Sequence, residues 1–282
     1  MREINLFKRS DGRWITNVEM LKLLEKIGAP QCKILYIHTE LSFGIPNPEF
    51  KKNDILEYLF EILLEMNVPS LCLPSYTFSF CNREDYDIKN SKTRMGMLNE
   101  YIRKQENAIR SVDPLLSAVL VGKDKEIVEN LGHDSIGKDS TFDRIHHKDG
   151  VKFLFFGARL GACFTYMHYM EELAKVPYRY HRAFTGKIID GPRVYEDSYT
   201  LFVRYKNVKA GDGSFKYEDL LLQKGLVEKA ACGNSALSCV AEPDAFEVYN
   251  DLLRQDPNYF LERPFLPDDK DTEFVVHNMV AL

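Results

Sequence analysis

Residues 151–172 read VKFLFFGARLGACFTYMHYMEE, and the rest of the chain can be read outward from them. The run 151–156 is apolar, of strand length and rich in aromatics. Gly157 and Gly161 then punctuate a tight turn. A helical pattern follows, with Phe164, Met167, Met170 and Leu173 at three-residue spacing and Glu171 and Glu172 as a polar edge. His168 lies inside that pattern, three residues after Thr165. A strand feeding a glycine-containing turn and a helix is where α/β enzymes place reactive groups. The N–H groups at a helix start have no intrahelical partner and bind anions. By pattern alone, a packed core histidine bonded to a backbone carbonyl is the better reading of His168.

Upstream, short apolar runs alternate with helical patterns. Thr16 and Glu19 stand as a capping box. Val18, Leu21, Leu24 and Ile27 form one apolar face after it, and Gly28 stops the helix. Residues 33–39 read as a buried strand, followed by a donor-rich loop that runs from His38 to Gly44. A second, strongly apolar helix is expected over 54–66, and a short strand over 71–73 that ends at Pro74. Residues 82–110 are the most polar stretch and read either as a linker or as an ordered insertion. A strand over 115–122 and a short helix over 124–131 complete the upstream half. Downstream, 199–205 alternates like a strand, and 217–224 and 243–255 read as helices. Strands and helices in alternation predict an α/β fold, layered α/β/α around one central mixed sheet, with residues 1–282 as one domain.

Composition narrows the function classes. The chain has 282 residues and a net charge of −5 with the signs interspersed, which asks for neither nucleic acid nor an anionic membrane. Mild acidity suits a cationic substrate. Six cysteines occur with no C-x-x-C pair and no His/Cys cluster at zinc spacing, so no metal is expected and the thiols read as free in a reducing cytoplasm. The opening MREINLFKRSDGRW has no long apolar segment, so no signal peptide is expected. No run approaches a membrane span, and a soluble cytoplasmic protein is the expectation.

The central stretch resembles the aminoglycoside 3-N-acetyltransferase family, in which a glycine turn leads to T-x-x-H and an acidic residue follows three or four places on. Here that reads Gly157, then Thr165 and His168, then Glu171. Six other blocks resemble the family in the same order. LYIHTELSFG (35–44) is similar to "HSSLSSFG", PSYTFSF (74–80) to "PTFTYSF", and GMLNEYIRKQENAIRSVDP (96–114) to "G-x-L-x-E … R-S-x-H-P". LGHDSIGKDSTFDRI (131–145), VPYRY (176–180) and CGNSAL (232–237) follow. The resemblance implies a coenzyme A-dependent N-acyltransferase. Its donor would be acetyl-CoA or another acyl-CoA, and its acceptor an amino sugar: an aminoglycoside or a nucleotide-linked amino sugar of a surface-glycan pathway. It favours reading 82–110 as a lid-like insertion, and a homo-oligomer is compatible with it.

Moving an acyl group from a thioester to an amine needs a base, donors for the developing oxyanion and a pocket for the pantetheine arm. His168 is the candidate base, because histidine titrates near operating pH. The resemblance takes the orienting carboxylate from a later segment, which points to Glu196 with Asp197 in reserve. Glu171 and Glu172 then read as a solvated helix edge. Thr165, one turn from His168, is a candidate for bonding the thioester or oxyanion, against an ordinary back-bond to its own helix. His38, Thr39 and Ser42 resemble the family's coenzyme A loop, and Ser75 and Thr77 are candidates to line the same cleft.

Two departures bear on the acceptor. Asp113 stands where the family motif has histidine, and Gly161 and Ala162 stand where the turn often carries Asp or Asn. Two other classes compete. One is a Cys/His hydrolase using Cys163, but Cys163 and His168 are five residues apart in one helical pattern and no nucleophile elbow follows. The other is a non-catalytic amino-sugar or nucleotide binder on the same scaffold. A dinucleotide site is disfavoured because the G-x-G-x-x-G spacing is absent.

Overall fold

The structure, a computed structural model, describes residues 2–271 and 273–275. The chain opens with a hairpin, β1 (Asn5–Lys8) and β2 (Trp14–Thr16), and runs into α1 (Asn17–Lys26). The Thr16 hydroxyl caps α1 by accepting the Glu19 N–H at 3.1 Å. Next come β3 (Ile34–Thr39), β4 (Ile45–Pro46), α2 (Lys52–Glu65), β5 (Ser70–Pro74) and β6 (Tyr86–Asp87). They are followed by α3 (Met97–Arg103), β7 (Ile109–Arg110), β8 (Ala118–Gly122), α4 (Thr141–His146) and β9 (Val151–Phe156). The second half holds α5 (Leu160–Cys163), α6 (Met167–Leu173), β10 (Arg179–Asp190), β11 (Arg193–Tyr205) and α7 (Gly213–Gln223). β12 (Val227–Cys232), β13 (Ser235–Ala241), α8 (Glu242–Gln255) and β14 (Phe274–Val275) complete it.

The expected mixed sheet is present, with seven strands in the order β12-β13-β9-β3-β5-β8-β7. Its centre, β9-β3-β5, is parallel, and the pairs outside it are antiparallel. Side chains alternate across the pleat. Leu35, Ile37, Leu71, Leu73, Leu154 and Phe156 join the core beneath α1, α2 and α3. Ile34, Tyr36, Cys72, Phe153 and Phe155 face the other way, toward α4 to α8. Helices on both faces cover a sheet whose central strands are apolar on both sides. This is the layered α/β/α arrangement.

Two smaller sheets accompany it, with orders β2-β1-β4 and β14-β11-β10-β6. The strand expected over 199–205 is the second half of β11, which pairs with β10 along the whole of β10. Period-two hydrophobicity misses β10 because RYHRAFTGKIID is polar or small at most positions. The helix expected over 124–131 is only a 3₁₀ turn, Lys125–Ile127. Within 82–110, Tyr86, Leu98, Asn99, Ile102 and Arg103 are buried, so the stretch packs against the rest of the fold and does not run as a solvated linker.

The parallel centre decides where the polar residues meet. β3, β5 and β9 end at the same edge, and the loops after them leave the sheet together. In open α/β sheets that carboxyl edge is where ligands bind.

Candidate active site

The turn after β9 is tight because of Gly157. Its φ is +78°, and a Cβ there would sit 1.9 Å from the Glu40 carbonyl oxygen. The close approach brings the loop after β3 against the loop after β9. The chain then makes the short α5, breaks at Phe164 and restarts as α6. Gly161 N–H donates to Glu218 Oε2 at 3.1 Å, and Arg159 Nε donates to the same oxygen at 2.9 Å, which ties this turn to α7.

His168 lies in the first turn of α6 and is 8 % exposed. Its Nδ1 is 2.7 Å from Glu171 Oε2. Glu171 is itself buried. Its other oxygen accepts from the Tyr178 hydroxyl at 2.9 Å. Arg179 Nε stands 2.8 Å from Oε2 but off the hydrogen-bonding axis, so this contact is charge against charge. The guanidinium donates instead to the Phe202 carbonyl at 3.1 Å. Arg204 lies opposite Arg179 in the β10–β11 register.

These neighbours set the charges. Burial alone would push Glu171 up, but Arg179 and the bonds from His168 and Tyr178 outweigh it and hold the carboxyl at about 2. His168 is pulled below its ordinary value, chiefly by burial and then by Arg179, with Glu171 working the other way. The pair is therefore an anionic carboxylate and a neutral imidazole. An imidazole that donates from Nδ1 to a carboxylate carries its lone pair on Nε2. Such a ring accepts a proton there, and the carboxylate stabilises the cation that results.

Glu196 and Asp197 are not beside His168. Glu196 is exposed and faces Lys187 across the hairpin. Asp197 accepts from His133 Nε2 at 3.1 Å. Glu196 lies eight residues along β11 from Arg204, roughly 26 Å at the usual strand rise. The base of the hairpin, not its middle, meets α6. Glu171 reaches His168 instead because a helix brings residues three apart onto one face. Glu172 is buried as well, pairing with Lys175 and lying 3.4 Å from His181 Nε2. The solvated-edge reading of both glutamates is therefore corrected. It fails because β10 covers that side of α6, and hydrophobic patterning does not reveal β10.

Thr165 is buried, and its hydroxyl donates to the Cys163 carbonyl at 3.4 Å. His38 is the next-to-last residue of β3, on the same side of the sheet as Tyr36. It is 4 % exposed, stacks on Phe155 at 5.2 Å, and its Nε2 has no hydrogen-bond partner among the described residues. Burial drives its pKa down to about 3, so it is neutral. Ser75 follows β5, and its hydroxyl is also buried without a partner among the described residues. Thr77 is committed elsewhere, donating to the Pro114 carbonyl at 2.9 Å. Thr39 donates to Asn99, whose amide donates on to the Pro74 carbonyl at 2.7 Å. Ser42 is exposed. The loop after β5 also holds Phe78 at a φ of +54°, a conformation that costs a bulky residue about 1 kcal/mol or more and that tends to persist at functional sites.

Patterning misses three neighbours of His168: Glu171 as partner, Tyr178 and Arg179. The T-x-x-H spacing, extended by three residues, is the available signal for the first. Cys163 is turned away from nucleophilic work. Its Sγ donates to the Arg159 carbonyl at 3.3 Å, and burial pushes the thiol well up even though part of the residue reaches solvent.

A sequence model of the aminoglycoside 3-N-acetyltransferases matches residues 68–254. The chain belongs to that family. Solved structures share its fold, among them the following three. Apo aminoglycoside acetyltransferase AAC(3)-IVa is 20 % identical with a TM-score of 0.69, covering 93 % of this chain and 94 % of its own. AAC-IIIb, solved with CoASH, is 16 % identical with a TM-score of 0.71, covering 85 % and 96 %. The YokD protein from Bacillus subtilis is 15 % identical with a TM-score of 0.71, covering 90 % and 96 %. No curated protein matches the sequence. No described helix of this acetyltransferase is long and apolar enough to cross a membrane.

Proposed function

We propose that this member of the family transfers an acetyl group from acetyl-CoA to an amine of an amino sugar, with His168 as the base. The observation that carries the reading is the buried His168–Glu171 pair, charge-balanced by Arg179, at the carboxyl edge of the parallel strands. The thioester supplies the activated acyl group when bound. The chain's own residues do the rest. His168 Nε2 takes the proton from the attacking amine, Glu171 keeps the ring in the right tautomer, and Thr165 faces the acyl carbonyl. Residues 82–110 act as a lid over this single acyltransferase domain, anchored where Thr93 Oγ1 and Arg94 N donate to the Tyr76 carbonyl at 3.1 and 3.0 Å.

Support for the donor comes from the polar loop after β3 and from the two orphaned buried atoms, His38 Nε2 and Ser75 Oγ, near the strand ends. A buried polar atom without a partner is costly, and a ligand or water that satisfies it removes the cost. The fold likeness to AAC-IIIb with CoASH agrees. For the acceptor, a variant of AAC(3)-IVa that shares the fold was solved in complex with a gentamicin, which supports an aminoglycoside. The Asp113 departure does not weigh against this. Its Oδ1 accepts the Leu115 and Leu116 N–H groups and the Ser135 hydroxyl inside the fold. The test is thiol release from acetyl-CoA against a panel of aminoglycosides and nucleotide amino sugars. Amine-dependent release is expected with at least one aminoglycoside. Release with nucleotide sugars alone would move the acceptor class, and none with any amine would end the reading.

A further inference from the structure

The two oxygens of Glu171 have different neighbours. Oε1 accepts from the uncharged Tyr178 hydroxyl at 2.9 Å. Oε2 faces two groups at once, His168 Nδ1 at 2.7 Å and Arg179 Nε at 2.8 Å. Arg179 is the first residue of β10, and its side chain is 6 % exposed. Its geometry does not suit an arginine that merely fastens two elements. Such arginines frequently grip a carboxylate with two parallel N–H···O bonds. Here Nη1 donates instead to the Phe202 carbonyl, inside Arg179's own hairpin, at 3.1 Å. Nε stands against Oε2 without hydrogen-bond geometry. The hairpin holds the guanidinium in place, and what reaches Glu171 is its charge.

With His168 neutral, Glu171 and Arg179 cancel. A proton on His168 sets two cations against one carboxylate, and an uncompensated charge in a buried setting is costly. Arg204, directly opposite Arg179 in the hairpin register, brings a second guanidinium to the same face. The other titratable groups around the ring do not restore the balance. Glu172, one residue on, is paired with Lys175 and lies 3.4 Å from His181 Nε2. His181 Nδ1 is in turn 3.2 Å from Asp134. Tyr178 and Tyr249 of α8 are buried, with hydroxyls pushed well above their ordinary value, so both are uncharged. The direction of the His168 shift agrees: burial lowers it most, Arg179 comes next and Arg204 adds to it, against Glu171.

We propose that Arg179 is a positioning residue for acyl transfer: by sharing Glu171 Oε2 with His168 it denies the imidazolium a counter-ion of its own, so the ring waits as a neutral base and gives up the amine's proton again. This rests on the reading that His168 is the base. In that step the amine nitrogen bonds to the acyl carbon, and the coenzyme leaves with the C–S electron pair. The proton from nitrogen goes to His168 Nε2 and from there to solvent. A histidine paired with a carboxylate alone would hold that proton more tightly, because an opposite charge favours the charged form.

The test uses the full-length protein and two readouts: the pH titration of the His168 ¹⁵N chemical shifts, and kcat/KM for gentamicin at saturating acetyl-CoA. Arg179→Gln removes the charge, so His168 should gain its proton at higher pH than in wild type. The ratio of kcat/KM at about pH 6 to that at about pH 8 should fall by about fivefold or more, the scale of one lost like-charge contact. Arg179→Lys keeps a cation and should leave both readouts close to wild type. The acceptor's own ionisation is common to all three proteins and cancels in the comparison. Near-UV circular dichroism checks each fold. If Arg179→Gln does not keep it, Arg204→Gln takes its place, with a smaller change in the same direction. An unmoved His168 titration in the folded neutral variant overturns this inference alone, and so does an equal shift in Arg179→Lys. A titration that moves while the rate ratio does not takes His168 out of the reaction and refutes its role as base. Absence of amine-dependent turnover in wild type would refute the proposed function itself, while the titration still decides whether Arg179 acts on His168.

Discussion

His168 Nδ1 stands 2.7 Å from Glu171 Oε2, within one turn of the same helix. A partner so close in sequence is rigidly placed, because the helix backbone fixes both Cα atoms. Replacing the carboxylate by an amide keeps the shape but removes the charge and permits the wrong tautomer. Glu171→Gln is therefore expected to lower kcat by about a hundredfold or more, as is His168→Ala. Glu196→Gln should leave kcat within about twofold, the scale of an exposed site with no such partner. Steady-state thiol-release kinetics check all three. Near-normal turnover in Glu171→Gln would make the pair structural.

The His168 shift carries a sign. Burial and Arg179 lower its pKa, so the ring should stay neutral as pH falls past 6.5, the ordinary value, and gain its proton only below it. Two-bond ¹H–¹⁵N correlation spectra across that range should show the Nδ1–H tautomer at neutral pH. Protonation of His168 at or above 6.5 would contradict the environment described here.

Asp113 behaves in the opposite way. Burial raises its carboxyl to about 6, against the bonds from Leu115, Leu116 and Ser135. A folded-state pKa above the unfolded one contributes stability that is present below the unfolded value near 3.8 and lost as pH rises through about 6. All three donors go to Oδ1, which an asparagine keeps. Asp113→Asn should match or exceed wild-type stability at neutral pH, by a few kcal/mol at most on ~1.4 kcal/mol per pKa unit. It should also flatten the pH dependence between those two values. Denaturant titrations at several pH values check it, and a variant much less stable at neutral pH would refute the sign.

Thr39 and Ser42 separate structure from binding. Thr39→Val leaves Asn99 Oδ1 without its donor in a buried setting, a cost of about 1–3 kcal/mol. Ser42→Ala changes an exposed residue and should alter stability by less than about 0.5 kcal/mol. If the loop holds acyl-CoA, Ser42→Ala raises KM for acetyl-CoA and not for the acceptor. A rise for the acceptor alone would hand the loop to the amine.

Gly157 and Gly191 give a matched contrast. Both have positive φ, +78° and +58°, but a Cβ at 157 meets the Glu40 carbonyl whereas one at 191 meets nothing within 4 Å. Gly191→Ala should cost about 1 kcal/mol for backbone strain alone. Gly157→Ala adds a backbone clash and should lower the melting temperature by several times as much. Equal effects would show that the two loops can part freely.

Whatever is local or pairwise in order can be read from the chain. The run 151–156, the glycine turn and T-x-x-H place β9, the turn and α6, because short-range periodicity and φ requirements need no distant partner. Alternating apolar strands and amphipathic helices imply the layered α/β fold, since each apolar face must be covered. Seven ordered blocks carry the family. Which carboxylate meets His168 emerges only in three dimensions. Glu171 reads as helix-edge polarity until β10 is laid over α6, and β10 carries too little hydrophobic alternation to be read from the chain. The same holds for Arg179, His38 and the buried Tyr36–Tyr76 hydroxyl pair. Their roles depend on burial and on partners brought together by the fold, and a side chain's charge state and hydrogen bonds are set by what surrounds it in space.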